Sequence, residues 1–234
     1  MLRHKIALAS GGMFDALDRF WGRRDLASKY PELLFHIYSA VRASVPLMET
    51  ALRRATELAA SDPVAAGVAE YLAHHIPEEL HHDEWLLDDI LALSASGKSA
   101  LGASREAVLR RLPPASAAAM VGSLYYWVIH IHPLAFLGYA AVIEGHPPSE
   151  TYLEEVQRRT GLPPEGFRTY LKHARLDPHH SREMDEVIDR LPLTPDHTSL
   201  LGVVAFQTIH HLTALFEGLA GTASPATPAI EAKP

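Results

Sequence analysis

From Leu112 to Ile143 the chain carries no Asp, Glu, Lys or Arg. A stretch this long either crosses a bilayer or lies at the centre of a folded core. It contains Gly122, Ser123, three tyrosines, His130, His132 and Pro133, and it ends at Glu144. No Lys/Arg cluster follows Ile143 to anchor it at a membrane surface. The reading is therefore a central helix of a soluble bundle, without membrane association.

The rest of the chain agrees. Apolar residues recur at i, i+3, i+4 and i+7, and no run alternates with period two, so the fold class is all-α. Helices are predicted over 13–22, over 25–60 with Pro31 near its start and a kink at Pro46, and over 63–93 behind the cap Ser61-Asp62-Pro63. A small-residue loop covers 94–102, and Ser104 opens a short helix to Leu112. Further helices are expected over 115–143, from Ser149 to Thr160, and over 164–176, 178–190 and 196–219. Residues 1–220 read as one domain. Residues 221–234, rich in Ala, Pro, Ser and Thr without periodicity, read as a disordered tail.

Composition excludes several functions. The chain has 234 residues, 47% of them hydrophobic, which is ordinary for a globular protein. The absence of cysteine removes disulfide scaffolds, thiolate zinc sites, iron–sulfur clusters and Cys nucleophiles. A net charge of −7 leaves no basic surplus for binding nucleic acid. The first twelve residues hold no long apolar region, so no signal peptide is expected and the expected location is the cytoplasm. Phosphate-loop, dinucleotide-binding, nucleophile-elbow and H-E-x-x-H motifs are all missing. The chain has 15 histidines, and they are clustered. Imidazole is the commonest metal ligand among side chains.

Three constellations could carry chemistry. Glu78-Glu79-Leu80-His81-His82 puts a carboxylate and an imidazole on one helical face, as Glu79 with His82 or Glu78 with His82. Taken alone, it could equally be a solvated face. His173, Asp177 and His180, spaced by four and three, form a His₂-carboxylate group suited to non-heme iron. Pro178 beside Asp177 predicts a kink or a break there, and Arg175 and Glu183 are candidate outer partners. Glu144, closing the uncharged stretch, either marks the exit to solvent or needs a strong partner. Glu49 is a further candidate carboxylate, and His81 and His179 compete with their neighbours. His74 and His75 lie one to two turns before the first motif and are set aside as outer groups at most.

These elements, in this order, resemble the heme-oxygenase-like metal oxidases, a family of iron-containing redox enzymes. The Gly138-Tyr139 to Pro147-Pro148 segment is part of the likeness, which runs from Pro31 to Leu219. The resemblance implies a heme-oxygenase-like helical bundle of about seven core helices. It implies two Fe(II) ions per chain, held by Glu79, His82, Glu144, His173, Asp177 and His180, with O₂ as co-substrate. It further implies oxidation of a small amine, amino acid or fatty acid by N-oxygenation, C–C cleavage or decarboxylation. The substrate is expected in an apolar pocket near Tyr125, Trp127 and Tyr139, and a homodimer is the default assembly. The rival readings are a metal-free relative, a heme-using one with His36 as axial ligand, and a non-catalytic iron-binding bundle.

Overall fold

The computed structural model describes residues 2–145 and 147–221, so the tail expected beyond Gly221 lies outside the described residues. Among the described residues there are twelve α-helices, one 3-10 turn and no strand. In chain order the helices are α1 (Leu2–Ala9), α2 (Gly11–Trp21), α3 (Leu26–Val41), α4 (Ser44–Leu58), α5 (Pro63–Glu79) and α6 (His82–Ala95). Then come α7 (Arg105–Leu109), α8 (Ala115–His130), α9 (Ala135–Ile143), α10 (Glu150–Thr160), α11 (Arg168–Arg190) and α12 (Pro195–Ala220). The 3-10 turn Pro164–Phe167 leads into α11.

Three helices that read as continuous in the sequence are cut. The predicted 25–60 helix breaks between α3 and α4, so Pro46 falls in the first turn of α4, where no backbone donor is needed. The predicted 63–93 helix breaks at Leu80, which is extended (φ −60°, ψ 131°), and His81, which is left-handed (φ 71°). Pro77 prepares that break, since it cannot donate to the carbonyl one turn back. The uncharged stretch breaks ahead of Pro133 into α8, of 16 residues, and α9, of 9. Neither approaches the ~20 residues needed to cross a bilayer. By length and composition α12 does, with 26 residues, and it packs against α9, α2, α8 and α1.

One expected break is absent. Helix α11 runs unbroken through Pro178, which is exposed. Its start is capped from outside: Thr169 N donates to Asp89 Oδ2 of α6 at 2.9 Å. Asp89 is fully buried, and burial pushes its carboxyl up to about 6.

A second fastening joins three helix starts. Asp62 caps α5 by accepting from Val64 N and Ala65 N at 2.8 and 3.1 Å. Its other oxygen lies 3.0 Å from His132 Nε2, and His132 Nδ1 accepts from Leu134 N at 3.0 Å just ahead of α9. The His132 ring lies 5.2 Å from that of His197, which closes a capping box with Thr194 at the start of α12.

The core has two apolar clusters with Leu17 packed against both. One gathers residues of α4, α5, α8, α9 and the first half of α12, and the other those of α2, α3, α6 and the end of α12. Helices α9 and α12 approach so closely that a Cβ on Gly138 would lie 2.8 Å from the Leu201 carbonyl oxygen. On the outer side, α8 and α12 are tied by Trp127 Nε1 donating to Gln207 Oε1 at 2.6 Å. Exposed around that tie are Tyr126, Ile129, Ile131, Val203 and Phe206.

Candidate metal centre

The centre lies where the end of α5, the start of α6, the end of α9 and the middle of α11 meet. The α5–α6 break corrects one expectation: Glu79 closes α5 and His82 opens α6, so the pair straddles a bend and does not share one helical face. The bend still brings them together, with His82 Nδ1 2.8 Å from Glu79 Oε2. On α11, His173 Nδ1 and Asp177 Oδ1 are hydrogen-bonded at 2.8 Å, and the His173 ring stands edge-on to that of His82 at 4.9 Å. One helical turn further, His180 Nδ1 lies 3.6 Å from Glu79 Oε1. Glu144, just past α9, joins through His75, whose Nε2 is 3.5 Å from Glu144 Oε1 and 3.8 Å from Glu79 Oε1. The structure thus brings all six residues singled out from the sequence into one cluster.

Burial separates the competing neighbours. His82 and His180 are buried, whereas His81 and His179 are exposed. Glu79 is the inner carboxylate of its pair. Glu78 is more exposed and lies at the edge, its Oε1 3.8 Å from His74 Nε2 and its Oε2 toward His75 and His180. Glu49 is exposed on α4, where its charge acts on Tyr125. Arg175 does not serve the cluster: it pairs with Glu150 at 2.9 Å on the surface. Glu183 stands 3.8 Å from His74, at the outer edge.

The sequence reading undervalued His75. It is completely buried and sits among Glu78, Glu79, Glu144 and His180. A usable signal was present, since His75, Glu79 and His82 recur at spacings of four and three.

Electrostatics bind the cluster together. Burial raises the Glu144 carboxyl, His75 beside it pulls it back, and the net shift is upward. Burial also pushes Glu79 up, but the imidazoles of His82, His75 and His173 outweigh it and leave its carboxyl below the ordinary value. His75 and His173 are both lowered by burial and raised further by their carboxylates, ending above the ordinary histidine value. Burial and the surrounding carboxylates raise the Tyr71 hydroxyl far beyond its usual range. The Tyr71 ring stacks on that of His75 at 5.0 Å.

The fit to a metal rests on orphaned polar atoms. Tyr71 Oη, both ring nitrogens of His75, His180 Nδ1, Glu144 Oε2 and Glu183 Oε2 are buried without a hydrogen-bond partner, and His82 Nδ1 has only its close approach to Glu79 Oε2. Buried polar groups are nearly always partnered, and each exception costs about 1–3 kcal/mol. So many exceptions, converging from four segments, suit a set of donors that closes on a cation. Imidazole and carboxylate without thiolate is a ligand set for non-heme iron.

A cavity of about 220 Å³ opens beside the cluster. His173 and Asp177 stand on its wall, which is otherwise built largely of apolar side chains such as Leu33, Ile37, Leu86, Met120 and Phe216. Among the described residues no Lys, Arg or Glu lines it. Of the three aromatics expected around a substrate, Tyr139 lines this space and Tyr125 and Trp127 do not. His36 lines it too, with its Nδ1 2.8 Å from the Glu32 carbonyl oxygen.

An all-helical bundle with a buried His/carboxylate cluster defines the class, a heme-oxygenase-like fold, and the solved structures agree. A domain of unknown function with this fold from Shewanella denitrificans OS217 superposes with a TM-score of 0.69 at 19% identity, over 92% of this chain and 85% of that one. A TenA homolog from Pseudomonas syringae pv. tomato DC3000 gives 0.62 at 11% identity, covering 91% of each chain. A CADD-like protein of unknown function from Nostoc punctiforme PCC 73102 gives 0.60 at 16%, over 83% of this chain and 82% of that one. At these identities the likeness is one of fold. No curated protein sequence matches the chain. The family model for iron-containing redox enzymes matches residues 32–205, and the chain belongs to that family.

Proposed function

We propose that the protein is a non-heme di-iron oxidase or oxygenase that uses O₂ on a small substrate with an aliphatic body. The observation that carries this reading is the pool of orphaned donors at the junction of α5, α6, α9 and α11. Glu79, His82, Glu144, His173, Asp177 and His180 would hold the two ions. Bound Fe(II) would supply the electrons that reduce O₂ next to the substrate.

The chain's own residues do the rest. Glu79, Glu144 and Asp177 bring three carboxylates to balance the cationic charge, and the imidazoles add neutral donors. The apolar cavity takes the aliphatic body and turns its polar end toward His173 and Asp177, the polar groups of the centre on its wall. With neither Lys nor Arg in that wall among the described residues, a substrate carboxylate or amine finds its strongest partner at the centre itself. This favours an aliphatic acid or amine over a compact polar amino acid. Tyr71 stays protonated, which leaves its hydroxyl as a donor facing the carboxylates.

The test begins with anaerobic Fe(II) loading and elemental analysis. O₂ uptake is then followed with aliphatic acids and amines of graded chain length. The expected result is two irons per chain and iron-dependent O₂ consumption that falls at least about 100-fold in His82→Ala and in His173→Ala. Full activity in both variants would overturn the site. Iron uptake without O₂ consumption would mark a non-catalytic iron-binding bundle.

A further inference from the structure

We propose that His75 is itself a metal ligand, sharing one ion with Glu79, Glu144 and His180, and that Glu78 is the outer carboxylate that orients both imidazoles. The proposal rests on the metal-centre reading above and extends it by one donor and one positioning residue.

His75 is completely buried on α5, and neither ring nitrogen has a hydrogen-bond partner. An imidazole left so is costly unless another interaction takes its place. Its surroundings offer one. Nε2 faces Glu144 Oε1 at 3.5 Å and Glu79 Oε1 at 3.8 Å, and His180 Nδ1 faces the same Glu79 oxygen at 3.6 Å. These separations are too long for hydrogen bonds. They are near the ~3.0–3.4 Å expected between donors that each lie ~2.1 Å from one ion at angles of 90–110°. The Glu79–His82 and His173–Asp177 pairs, by contrast, are already at 2.8 Å. Glu79 therefore sits between two groups, Oε1 turned to His75 and His180 and Oε2 to His82.

The far sides of the two rings meet one carboxylate. His75 Nδ1 is 3.6 Å and His180 Nε2 is 3.7 Å from the same Glu78 oxygen, Oε2. One atom from each of His75, Glu78 and His180 falls within a single 4.8 Å set. A histidine that binds a metal through one nitrogen commonly donates its other N–H to a carboxylate, which fixes tautomer and ring orientation. Glu78, drawn in by roughly half an ångström, would do this for both rings.

Helix position explains why these adjacent carboxylates differ. Glu79 is the last residue of α5, beside the turn that brings in His82. Glu78 is one step back, with Oε1 toward the exposed His74 and Oε2 toward the buried pair.

The experiment is equilibrium binding of Fe(II) under anaerobic conditions, repeated with Co(II), whose visible spectrum reports nitrogen ligation. It compares the full-length wild type, His75→Phe, His75→Ala, Glu78→Gln and Glu78→Asp. Phe keeps a ring against Tyr71 and removes the donor atoms, so it tests ligation even where Ala unsettles the fold. Melting curves confirm folding. We expect His75→Phe to weaken one ion by about 100-fold or more, leave the other in place and change the Co(II) spectrum. Glu78→Gln should weaken binding about 10- to 100-fold, with part of the loss restored in Glu78→Asp. Wild-type dissociation constants and spectrum in folded His75→Phe overturn His75 as a ligand while the metal centre stands. Wild-type affinity in Glu78→Gln overturns the orienting role. A wild-type protein that retains no metal overturns the centre and this proposal with it.

Discussion

Asp89 shows how much one residue can carry away from the metal centre. Its carboxyl is buried, accepts the Thr169 N–H that starts α11, and is pushed up to about 6. A carboxyl with a native pKa above its unfolded value binds its proton more tightly when folded. Its stabilising contribution is therefore complete below pH 3.8 and is lost as pH climbs through about 6. A displacement of about two units corresponds to roughly 3 kcal/mol. Asp89→Asn keeps an oxygen for Thr169 and removes the ionisation. In urea titrations of metal-free protein, its stability relative to wild type should rise between pH 4 and pH 7 by up to about 3 kcal/mol. A difference independent of pH would contradict this account. Nothing in the sequence distinguishes Asp89 from Asp88, because which of two adjacent carboxylates faces the core depends on packing against a segment 80 residues away. The same limit hid His75, whose importance comes from Glu144 and His180. Five of the six residues named in advance had ligand spacing behind them and Glu144 its place at the end of the uncharged stretch, whereas Glu78, Glu49, His81 and His179 were separated from them only by burial.

At the scale of elements, helical type was legible nearly everywhere and continuity was not. The periodicity that identifies a helix runs straight across Leu80-His81, and only the backbone there shows that α5 has ended. Proline was an uneven guide. Pro77 and Pro133 stand near breaks, Pro46 was absorbed into a first turn, and Pro178 sits inside α11. An interior proline lacks one helical hydrogen bond and costs about 3 kcal/mol relative to alanine. Pro178 is exposed, so replacing it leaves no buried cavity. Pro178→Ala should therefore raise the metal-free melting temperature, at roughly 2–4 °C for each kcal/mol recovered. Amide exchange over residues 172–182 should slow as well. A lower melting temperature would mean that the proline's fixed backbone angle is needed to aim Asp177 and His180.

For the whole molecule, the proposed ligands are spread from residue 75 to residue 180, so they converge only when the bundle is folded. A cation held there binds the folded chain far better than the unfolded one and stabilises it by mass action. At free Fe(II) near 100 times the dissociation constant, one site contributes about 2.7 kcal/mol. For a chain of this size that is a rise of roughly 5–11 °C in melting temperature. A chelator should reverse it, and His82→Ala should reduce it. Equal melting curves with and without metal would remove the reason for the cluster. The outer sides of α8 and α12 have a different kind of consequence. Between Ala115 and Ile131, and between Ser199 and Phe216, neither helix has an acidic or basic side chain other than histidine. Tyr126, Ile129, Ile131, Val203 and Phe206 lie open there. That flank gives the molecule a second handle in purification: despite its net charge, a phenyl resin in ammonium sulfate should retain it.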